Sequence, residues 1–425
     1  MRYGKGVILT LITKGIALPI GIISSVITAR YLGPSGRGVL ALLVVIQGFA
    51  LQFGALGFNA SITYFISRER TATSAIVMTA AAAGLAAGMV IAVGLGLVAW
   101  INPGILLGQV DSRYLFVFLI AIPFSFLHQL LQNVFIARQA IVEFNLLDLT
   151  VRVLQLFAYA FVLVYLGLST YEAVLALVAV TVVAGLLYLL RSLRYVHRPV
   201  SFDRARFGAM IRYGLRTYIA GLFMFLAIRV NLFLINLLLG EHDSGVYSVA
   251  LQISDLVYLI PTTLGLMLFP KVSEDEAGSV QLTVKAFRST FILMVTVAVG
   301  IVLVGQPLIV LLYGEKFLGA VGPLYALTPG IVFLSLVMIL NNDLAGRGLP
   351  AVVIIAPAVG AIVNASLNLL LLHTWGILAS AVSSSVAHFV MLLILLGWFM
   401  RRVRVSPALL FVPRRDDFDW RALRS

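Results

Sequence analysis

Apolar runs of twenty or more residues recur along this 425-residue chain from Val7 to Met400, with short polar breaks between them. A helix of that length spans a hydrocarbon core of about 30 Å. Hydrophobic residues make up 61% of the chain and charged residues 11%, which excludes a soluble enzyme and a disordered chain. The runs do not alternate with polar residues, which excludes a transmembrane β-barrel. The sequence predicts an all-α polytopic membrane protein.

The basic residues are unevenly distributed around the predicted spans. With the amino terminus in the cytoplasm, the inner segments hold 23 of the 30 Lys and Arg residues and the outer loops hold 4. The positive-inside rule then places both termini in the cytoplasm, and the net charge of +13 needs no nucleic-acid partner. We predict about twelve transmembrane helices, at 7-29, 39-66, 73-100, 114-137, 146-168, 173-190, 215-239, 246-270, 287-312, 322-344, 351-372 and 377-400.

A basic stretch at 191-213 divides these helices into six and six, and the halves share a pattern. A Leu-Gly pair and a Gly-Val pair, separated by four residues, occur at 32-39 and again at 239-246, an offset of 207. Six spans per half give both halves one membrane orientation, as in parallel-repeat transporters with a substrate path between the repeats. The predicted divisions are an N-terminal six-helix lobe (1-190), a basic cytoplasmic linker (191-213), a C-terminal six-helix lobe (214-400) and a basic cytoplasmic tail (401-425).

Two opposite charges fall at a similar depth on consecutive predicted helices. Arg229 lies about 21 Å into helix 7 from the inside, and Asp255 lies about 13 Å into helix 8 from the outside. Gln252 and Tyr258, each three residues from Asp255, share its helix face and extend a polar lining. Two interpretations remain open. The charges form a salt bridge that only makes them tolerable in the bundle, or Arg229 anchors an anionic substrate beside a titratable carboxylate.

Lys14 and Arg152 are the other basic residues inside predicted spans. Lys14 lies about 10 Å into helix 1, where its side chain either extends to the cytoplasmic headgroups or faces a polar cavity. Arg152 follows Asp148 by four residues on helix 5, which predicts an ion pair within the helix, with a cavity wall as the alternative.

Proline and glycine also mark features of the predicted helices. Gly84 and Gly88 form a small-xxx-small motif that predicts close helix packing. Prolines inside or near the ends of spans predict helix kinks, at Pro19, Pro123, Pro261, Pro329 and Pro357.

Residues suited to catalysis form no convincing site. The five histidines lack metal-ligand spacing, and the chain has no cysteine and no Walker A loop. Asp417-Phe418-Asp419 has the Asp-Xaa-Asp pattern of metal-dependent glycosyltransferases, but it lies in a short basic tail without a nucleotide-binding domain. We expect no enzymatic activity, no metal and no cofactor.

Several motifs along the chain resemble those of one transporter family. They are Lys14-Gly15, Ala-Arg-Tyr-Leu-Gly-Pro-Ser-Gly-Arg-Gly at 29-38, Phe-Gly-Ala-Leu-Gly-Phe-Asn-Ala-Ser at 53-61, Tyr-Gly-Glu-Lys-Phe at 313-317, Pro329-Gly330 and Gly346-Arg347-Gly348. With these motifs, essentially the whole chain resembles the polysaccharide biosynthesis transporters. These are the lipid-linked oligosaccharide flippases of the multidrug/oligosaccharidyl-lipid/polysaccharide exporter superfamily.

This resemblance implies a V-shaped pair of six-helix lobes around a central cavity. Such a protein flips an undecaprenyl-diphosphate-linked oligosaccharide from the inner to the outer leaflet of a bacterial plasma membrane by alternating access. In the family, basic residues on helices 1 and 7 hold the diphosphate, so the resemblance implies this role for Lys14 and Arg229. Asp255 is the candidate for coupling to H+ or Na+. The remaining candidate contacts in the diphosphate and glycan cavity are Arg152, Gln252, Tyr258 and Asn59.

The expected partners are the lipid-linked glycan, membrane lipids, and the polymerase and export enzymes of the same pathway, and we expect a monomer. An alternative is a multidrug or organic-cation antiporter of the same superfamily, but its cavity would favour carboxylates over Lys14 and Arg229. A further alternative is a membrane-embedded glycosyltransferase or polymerase. The absence of a long outer loop counts against it.

Overall fold

The structure, a computed structural model, describes residues 2-69, 72-196, 204-275, 278-348 and 350-414. Within these ranges the regular elements are all helices, as predicted. The predicted linker and tail lie partly outside the described residues, and Asp417-Phe418-Asp419 lies wholly outside them. The α-helices are α1 (Arg2–Gly54), α2 (Phe58–Arg68), α3 (Thr73–Ile101), α4 (Gly104–Leu107), α5 (Ser112–Phe118), α6 (Ala121–Ala137), α7 (Ile141–Tyr159), α8 (Thr170–Ser192), α9 (Arg204–Leu239), α10 (Glu241–Val257), α11 (Leu259–Glu274), α12 (Val280–Tyr313), α13 (Val321–Gly346), α14 (Val352–Trp375), α15 (Ile377–Val403) and α16 (Pro407–Phe411).

The helices of the described residues account for twelve membrane crossings. Nine helical segments are long and apolar enough to span, and the bent pair α5 and α6, at 45°, forms a tenth. The first segment, Thr13–Gly54, has 42 residues and a break at Gly33. At about 1.5 Å per residue it is about 63 Å long, enough for two crossings. Finally, α10 and α11 follow each other across Tyr258, where the sequence predicts one more crossing at 246-270.

Three predicted spans, 39-66, 114-137 and 246-270, are interrupted; kinks were predicted in the last two, at Pro123 and Pro261, but none was predicted in the first. In two of them the interruption lies just before a proline. Pro123 is the third residue of α6, and Pro261 is the third residue of α11. Proline has no N–H to donate, and the first turn of a helix is where that donor is not needed. The other prolines singled out above lie inside continuous helices, at Pro19 in α1, Pro329 in α13 and Pro357 in α14.

The contacts within the chain divide it into two compact units. The first contains Met1–Leu222 and Gly240–Gly245, and the second contains Phe223–Leu239 and Val246–Ser425. The first unit therefore continues past the predicted linker into α9. The lobe boundaries at 190 and 214 stay a prediction.

The repeated Leu-Gly and Gly-Val motifs have the same local structure in both copies. The first glycine of each, Gly33 and Gly240, has a left-handed φ of 66° and 98°, respectively, where a side chain would be strained. The second glycines lie in a close contact between α1 and the start of α10, inside the first unit. A Cβ on Gly38 would lie 1.8 Å from the carbonyl oxygen of Glu241, and a Cβ on Gly245 would lie 1.8 Å from that of Pro34. The repeat thus forms a reciprocal backbone contact.

In the first unit, α3 packs against α6 through the predicted glycine motif. A Cβ on Gly88 would lie 2.5 Å from Cα of Pro123, and one on Gly84 would lie 3.1 Å from Cδ1 of Leu130. Phe126 of α6 is completely buried. The interpretation of this motif as helix packing is therefore confirmed.

In the second unit, a buried ion pair joins consecutive turns at the end of α13. Asp343 and Arg347 are 0% and 4% exposed, and two bonds of 2.7 and 3.0 Å connect the guanidinium to both carboxylate oxygens. Thr283 of α12 donates a further hydrogen bond of 2.7 Å to Asp343. A buried carboxylate with this many partners is satisfied within the fold and is not available to a ligand.

We expect Gly245→Ala to lower the thermal stability of the purified protein in detergent. The added methyl group would overlap a backbone carbonyl of α1, which cannot move as a flexible side chain could. Overpacking of this kind costs about 1–3 kcal/mol. Gly300→Ala on α12 is the matched control, because nothing lies within 4 Å of its Cβ position. Equal melting temperatures for the two variants would show that the reciprocal contact is unimportant.

We expect Asp343→Ala to destabilise the protein by about 3–5 kcal/mol, because it leaves the charge of Arg347 buried without its carboxylate. Asp148→Ala removes the carboxylate from another pair spaced by four residues, but Arg152 there is 49% exposed. An exposed pair contributes about 0.3–0.5 kcal/mol. Thermal or denaturant unfolding should separate the two variants clearly, and similar losses would contradict this account.

Candidate functional site

Arg229 and Asp255 form the ion pair that their depths predict. The guanidinium Nη1 donates to Asp255 Oδ2 at 2.9 Å. Counting from Gly240, Arg229 lies about 16 Å along α9 and Asp255 about 22 Å along α10, so the two levels differ by about one helical turn. Both residues belong to the second unit. Their contact is therefore internal to one compact body.

This pair is only partly enclosed. The side chains of Arg229 and Asp255 are 36% and 34% exposed, and among the described residues Arg229 has no other ion-pair partner. Charged groups in contact with hydrocarbon are costly, so the exposed parts require water or a polar ligand beside them. An ion pair of this exposure contributes about 0–1 kcal/mol to stability. The ion pair therefore leaves N–H donors of the Arg229 guanidinium available to an anion.

Gln252 and Tyr258 extend the polar face of α10 on either side of Asp255. Both are half-buried. Tyr258 lies at the junction of α10 and α11, three residues before the kink predicted at Pro261. Its amide still donates to the carbonyl of Ser254 at 3.2 Å, so the helical path continues through the junction. The predicted grouping of Gln252, Asp255 and Tyr258 on one face is retained.

A buried amide and hydroxyl cluster fixes the rotation of α9. Asn231 donates to Ser384 Oγ on α15, and its Oδ1 accepts a bond of 3.1 Å from Asn368 on α14. Asn364 donates to the carbonyl of Ala227 at 2.8 Å. Because Asn231 lies two residues from Arg229, and therefore far round the helix, burying Asn231 turns Arg229 away from α14 and α15. The cluster consists of Asn231, Asn364, Asn368, Ser380 and Ser384, all buried.

The asparagines of this cluster lie inside predicted spans, at 215-239 and 351-372, but sequence reasoning missed Ser380 and Ser384. The available signal was the serine-rich stretch at 380-385 in an otherwise apolar helix. Buried polar groups need partners, so several serines on one transmembrane helix indicate an interhelical network.

The three candidate residues of the first unit lie on three different helices. Lys14 of α1 is exposed, and the described part of the chain gives it no hydrogen bond or ion pair. Arg152 pairs with Asp148 at 2.9 Å, which confirms the ion pair predicted for α7. Asn59 of α2 accepts a hydrogen bond of 3.2 Å from Asn133 of α6. Over the described residues, no hydrogen bond or ion pair joins Lys14, Arg152 and Asn59 to one another.

Asn59 lines an open cavity in the first unit that we call the α2 cavity. Its volume is about 790 Å³. Tyr64 stacks on Tyr213 with ring centroids 4.3 Å apart, and Arg68 donates to the Tyr64 hydroxyl at 2.7 Å. The sequence-based prediction included only Asn59 from this set. The lining residues are Asn59, Ala60, Thr63, Tyr64, Ser67, Arg68, Asn133 and Tyr213.

A glycine contact brings Tyr213 to this cavity. Gly57, with a left-handed φ of 76°, begins α2, and its Cβ would lie 2.1 Å from the carbonyl oxygen of Gly214 on α9. Only glycine permits this approach. Tyr213 precedes Gly214, so its proximity to Tyr64 depends on a contact between residues far apart in the chain. No local pattern reveals it.

The described ranges contain no group of three or more His, Asp or Glu side chains placed to hold a metal ion.

The fold is shared with solved membrane transporters. A lipid II flippase, MurJ, in an inward closed conformation, is 15% identical with a TM-score of 0.77, covering 94% of this chain and 88% of that one. A multidrug resistance MATE family transporter of the MOP superfamily, in an inward-facing conformation, is 16% identical with a TM-score of 0.75, covering 92% and 94%. A MOP superfamily transporter from Pyrococcus furiosus is 15% identical with a TM-score of 0.65, covering 95% and 94%. These likenesses show the fold.

A curated relative is the "Probable low-salt glycan biosynthesis flippase" of Haloferax volcanii. It is 22% identical over 238 residues, which are 54% of this chain and 49% of that protein. The chain thus matches about half the length of this relative. A family model described as polysaccharide biosynthesis protein matches residues 3–275. Since this match covers more than half of the 425 residues, the chain belongs to the polysaccharide biosynthesis protein family.

Proposed function

We propose that this protein flips an undecaprenyl-diphosphate-linked oligosaccharide, such as an exopolysaccharide, O-antigen or capsule repeat unit, from the inner to the outer leaflet by alternating access. The observation that carries the proposal is Arg229, whose side chain is 36% exposed and is held at membrane depth by a single 2.9 Å bond to Asp255. A lipid diphosphate carries about two negative charges that must cross the hydrocarbon. A fixed cation in a polar space offsets their desolvation.

Arginine suits this role better than lysine would. Its planar guanidinium presents several donors at once and binds phosphate oxygens bidentately. Lys14, exposed and without a partner over the described residues, is proposed as a second phosphate contact. Family membership and the name of the Haloferax volcanii relative support a glycan-lipid substrate. The fold shared with the lipid II flippase is consistent with it.

The α2 cavity, within the first unit, carries groups that suit a glycan. Sugars offer many hydroxyl groups, and Asn59 and Asn133 supply both donors and acceptors. The stacked Tyr64 and Tyr213 offer flat apolar surfaces to the C–H faces of sugar rings. The volume of about 790 Å³ lies in the range of small-molecule sites. We propose Asn59 as a glycan contact, and Gln252 and Tyr258 as contacts beside the diphosphate; Arg152 stays a predicted contact.

Asp255 is proposed as the group that couples transport to an ion. When the carboxylate is charged it holds Arg229, and when it is neutralised by H+ or Na+ it releases the guanidinium to the diphosphate. Exchange of partners at one cation would link ion binding to substrate binding. Movement of the lipid requires no covalent chemistry, so we propose a transporter and not an enzyme.

The setting of this function is proposed from the chain and its family. We propose a monomer in a bacterial plasma membrane with both termini cytoplasmic, which supplies a polysaccharide polymerase and export enzymes of the same pathway. Of these statements, the sequence supports the orientation through its excess of basic residues in alternate loops.

The second candidate function is a multidrug or organic-cation antiporter, because the fold also matches a multidrug transporter with a TM-score of 0.75. A cationic drug would need Asp255 as its counter-ion. Arg229 already occupies that carboxylate at 2.9 Å, so the observed pairing favours an anionic substrate.

We expect Arg229→Ala to slow transbilayer movement of an undecaprenyl-diphosphate oligosaccharide in proteoliposomes by about 10- to 100-fold. Hydrogen bonds to charged groups contribute about 1.5–3 kcal/mol, and each 1.4 kcal/mol is a factor of ten. Arg113→Ala is the matched control, since Arg113 is 62% exposed and lies in a predicted outer loop. A folded Arg229→Ala protein that flips at the parent rate would refute the anchor. A parent protein that expels organic cations and moves no lipid-linked sugar would support the antiporter.

We expect Asp255→Asn to remove the dependence of the flipping rate on an imposed H+ or Na+ gradient. The amide cannot take up a proton or balance a cation, so Arg229 is left permanently available. The measurement compares proteoliposomes with and without each gradient, and Asp111→Asn serves as the control, because this carboxylate is 53% exposed and lies in a predicted outer loop. If Asp255→Asn responds to the gradient as the parent does, Asp255 is not the coupling group.

A further inference from the structure

An open surface groove runs between the start of α14 and the end of α15, and we call it the α14–α15 groove. These helices are neighbours in the second unit, and the groove occupies the end at which α14 begins and α15 ends. Its volume is about 740 Å³. The lining residues are Ala351, Val352, Ile355, Leu393, Ile394, Gly397, Trp398, Arg401 and Arg402.

The body of the groove is apolar and open along its length. Ile355 and Leu393 are each 51% exposed. Nothing lies within 4 Å of the position that a Cβ on Gly397 would take, so this glycine leaves a channel along α15. From Leu393 to Arg401 the groove is about 12 Å long, which approaches the hydrocarbon depth of one leaflet. An acyl chain has the shape and polarity for this space.

One end of the groove is strongly positive. Arg401 and Arg402 are both exposed at the end of α15. Beside them α14 begins at Val352, and its N-cap residue, Ala351, has no side chain that could cap the first amides. The positive end of the helix dipole therefore points to the same place as the two guanidinium groups. The groove lining includes no carboxylate to neutralise them.

Trp398 lies between the positive end and the apolar body. Tryptophan concentrates at the headgroup level of a bilayer, and exposed arginines extend to the same level. This order of apolar channel, tryptophan and paired arginines follows the order of acyl chain, glycerol and phosphate in a phospholipid. Basic pockets between transmembrane helices at the cytoplasmic side bind anionic headgroups.

We propose that the α14–α15 groove binds an anionic phospholipid of the leaflet that contains the end of α15. Arg401 and Arg402 hold its phosphate, and one acyl chain lies along Ile355, Leu393 and Gly397. With the predicted orientation this is the cytoplasmic leaflet. The site is independent of the proposed transport function.

The position of the groove separates it from the Arg229 pair. The buried cluster that contains Asn231, two residues from Arg229, contacts α14 at Asn364 and Asn368. Ile355 lies about 14–20 Å from these residues along α14. A ligand in the groove is thus at a different membrane level from one at Arg229, which favours a resident bilayer lipid over the transported lipid.

Trp398 provides an internal probe for the test. The full-length protein with the other tryptophans changed, Trp100→Phe, Trp375→Phe and Trp420→Phe, is reconstituted in phosphatidylcholine vesicles containing brominated phosphatidylglycerol or, separately, brominated phosphatidylcholine at equal mole fraction. Bromine quenches indole fluorescence at near contact. We expect a preference of about fivefold or more for phosphatidylglycerol, since each arginine near an anionic surface adds an attraction of this size. Equal quenching by the two lipids would overturn the proposal.

Two variants locate the site. Arg401→Gln with Arg402→Gln should abolish the preference, and Gly397→Leu should reduce it by filling the channel. Gly300→Leu on α12 is the matched control, because its Cβ position is equally open, and it should leave the preference unchanged. A preference that survives both groove variants would refute the assignment. Displacement of brominated phosphatidylglycerol by undecaprenyl diphosphate at lower concentration than by unlabelled phosphatidylglycerol would assign the groove to the transported lipid instead, and would also overturn the proposal.

Discussion

The constraint on which the rest of this structure depends is that a backbone in hydrocarbon must satisfy its own hydrogen bonds. For the long apolar runs of this chain, α-helices satisfy these hydrogen bonds. The positions at which the helices end therefore determine the architecture. The helices are interrupted just before Pro123 and Pro261, so each proline lies in the first turn of the next helix, where its missing backbone N–H is not needed. The break at Gly33 and the turn at Gly240 use left-handed conformations that other residues adopt with strain. Each of these four deviations from a continuous helix has a local chemical cause.

With little hydrophobic driving force between helices in lipid, close packing and hydrogen bonds hold this bundle together. Gly38 and Gly245 let two backbones touch, Gly88 admits Pro123, and Gly57 admits Gly214. The buried asparagine and serine cluster supplies the hydrogen bonds that join α9, α14 and α15. The asparagine and serine cluster also sets the rotation of α9, and so it determines where Arg229 is left to meet a ligand.

Two Arg–Asp ion pairs show how the surroundings of a pair determine whether it is structural or able to bind a ligand. Asp343 and Arg347 are almost completely buried, bidentate and supported by Thr283, so the charges balance each other within the fold. Arg229 and Asp255 share one bond and keep about a third of each side chain exposed. The residue types are the same in both pairs. What differs is the number of partners and the access of solvent, and these make the first pair structural and the second a candidate site.

The sequence by itself determined the all-helical membrane class, the twelve crossings, the two-copy motif and the Arg229–Asp255 pair. The length of an apolar run and the spacing of residues along a helix are local properties of the chain, and they do not depend on the tertiary packing. The tertiary structure alone decided that Tyr64 and Tyr213 meet in the α2 cavity and that Ser380 and Ser384 belong to the Asn231 cluster. It also decided that Arg37, which lies in a predicted outer loop, is buried and donates to the Ser25 carbonyl at 2.8 Å. These outcomes depend on which helix faces touch across long separations in the chain, and packing between distant residues leaves no periodic signal in the sequence.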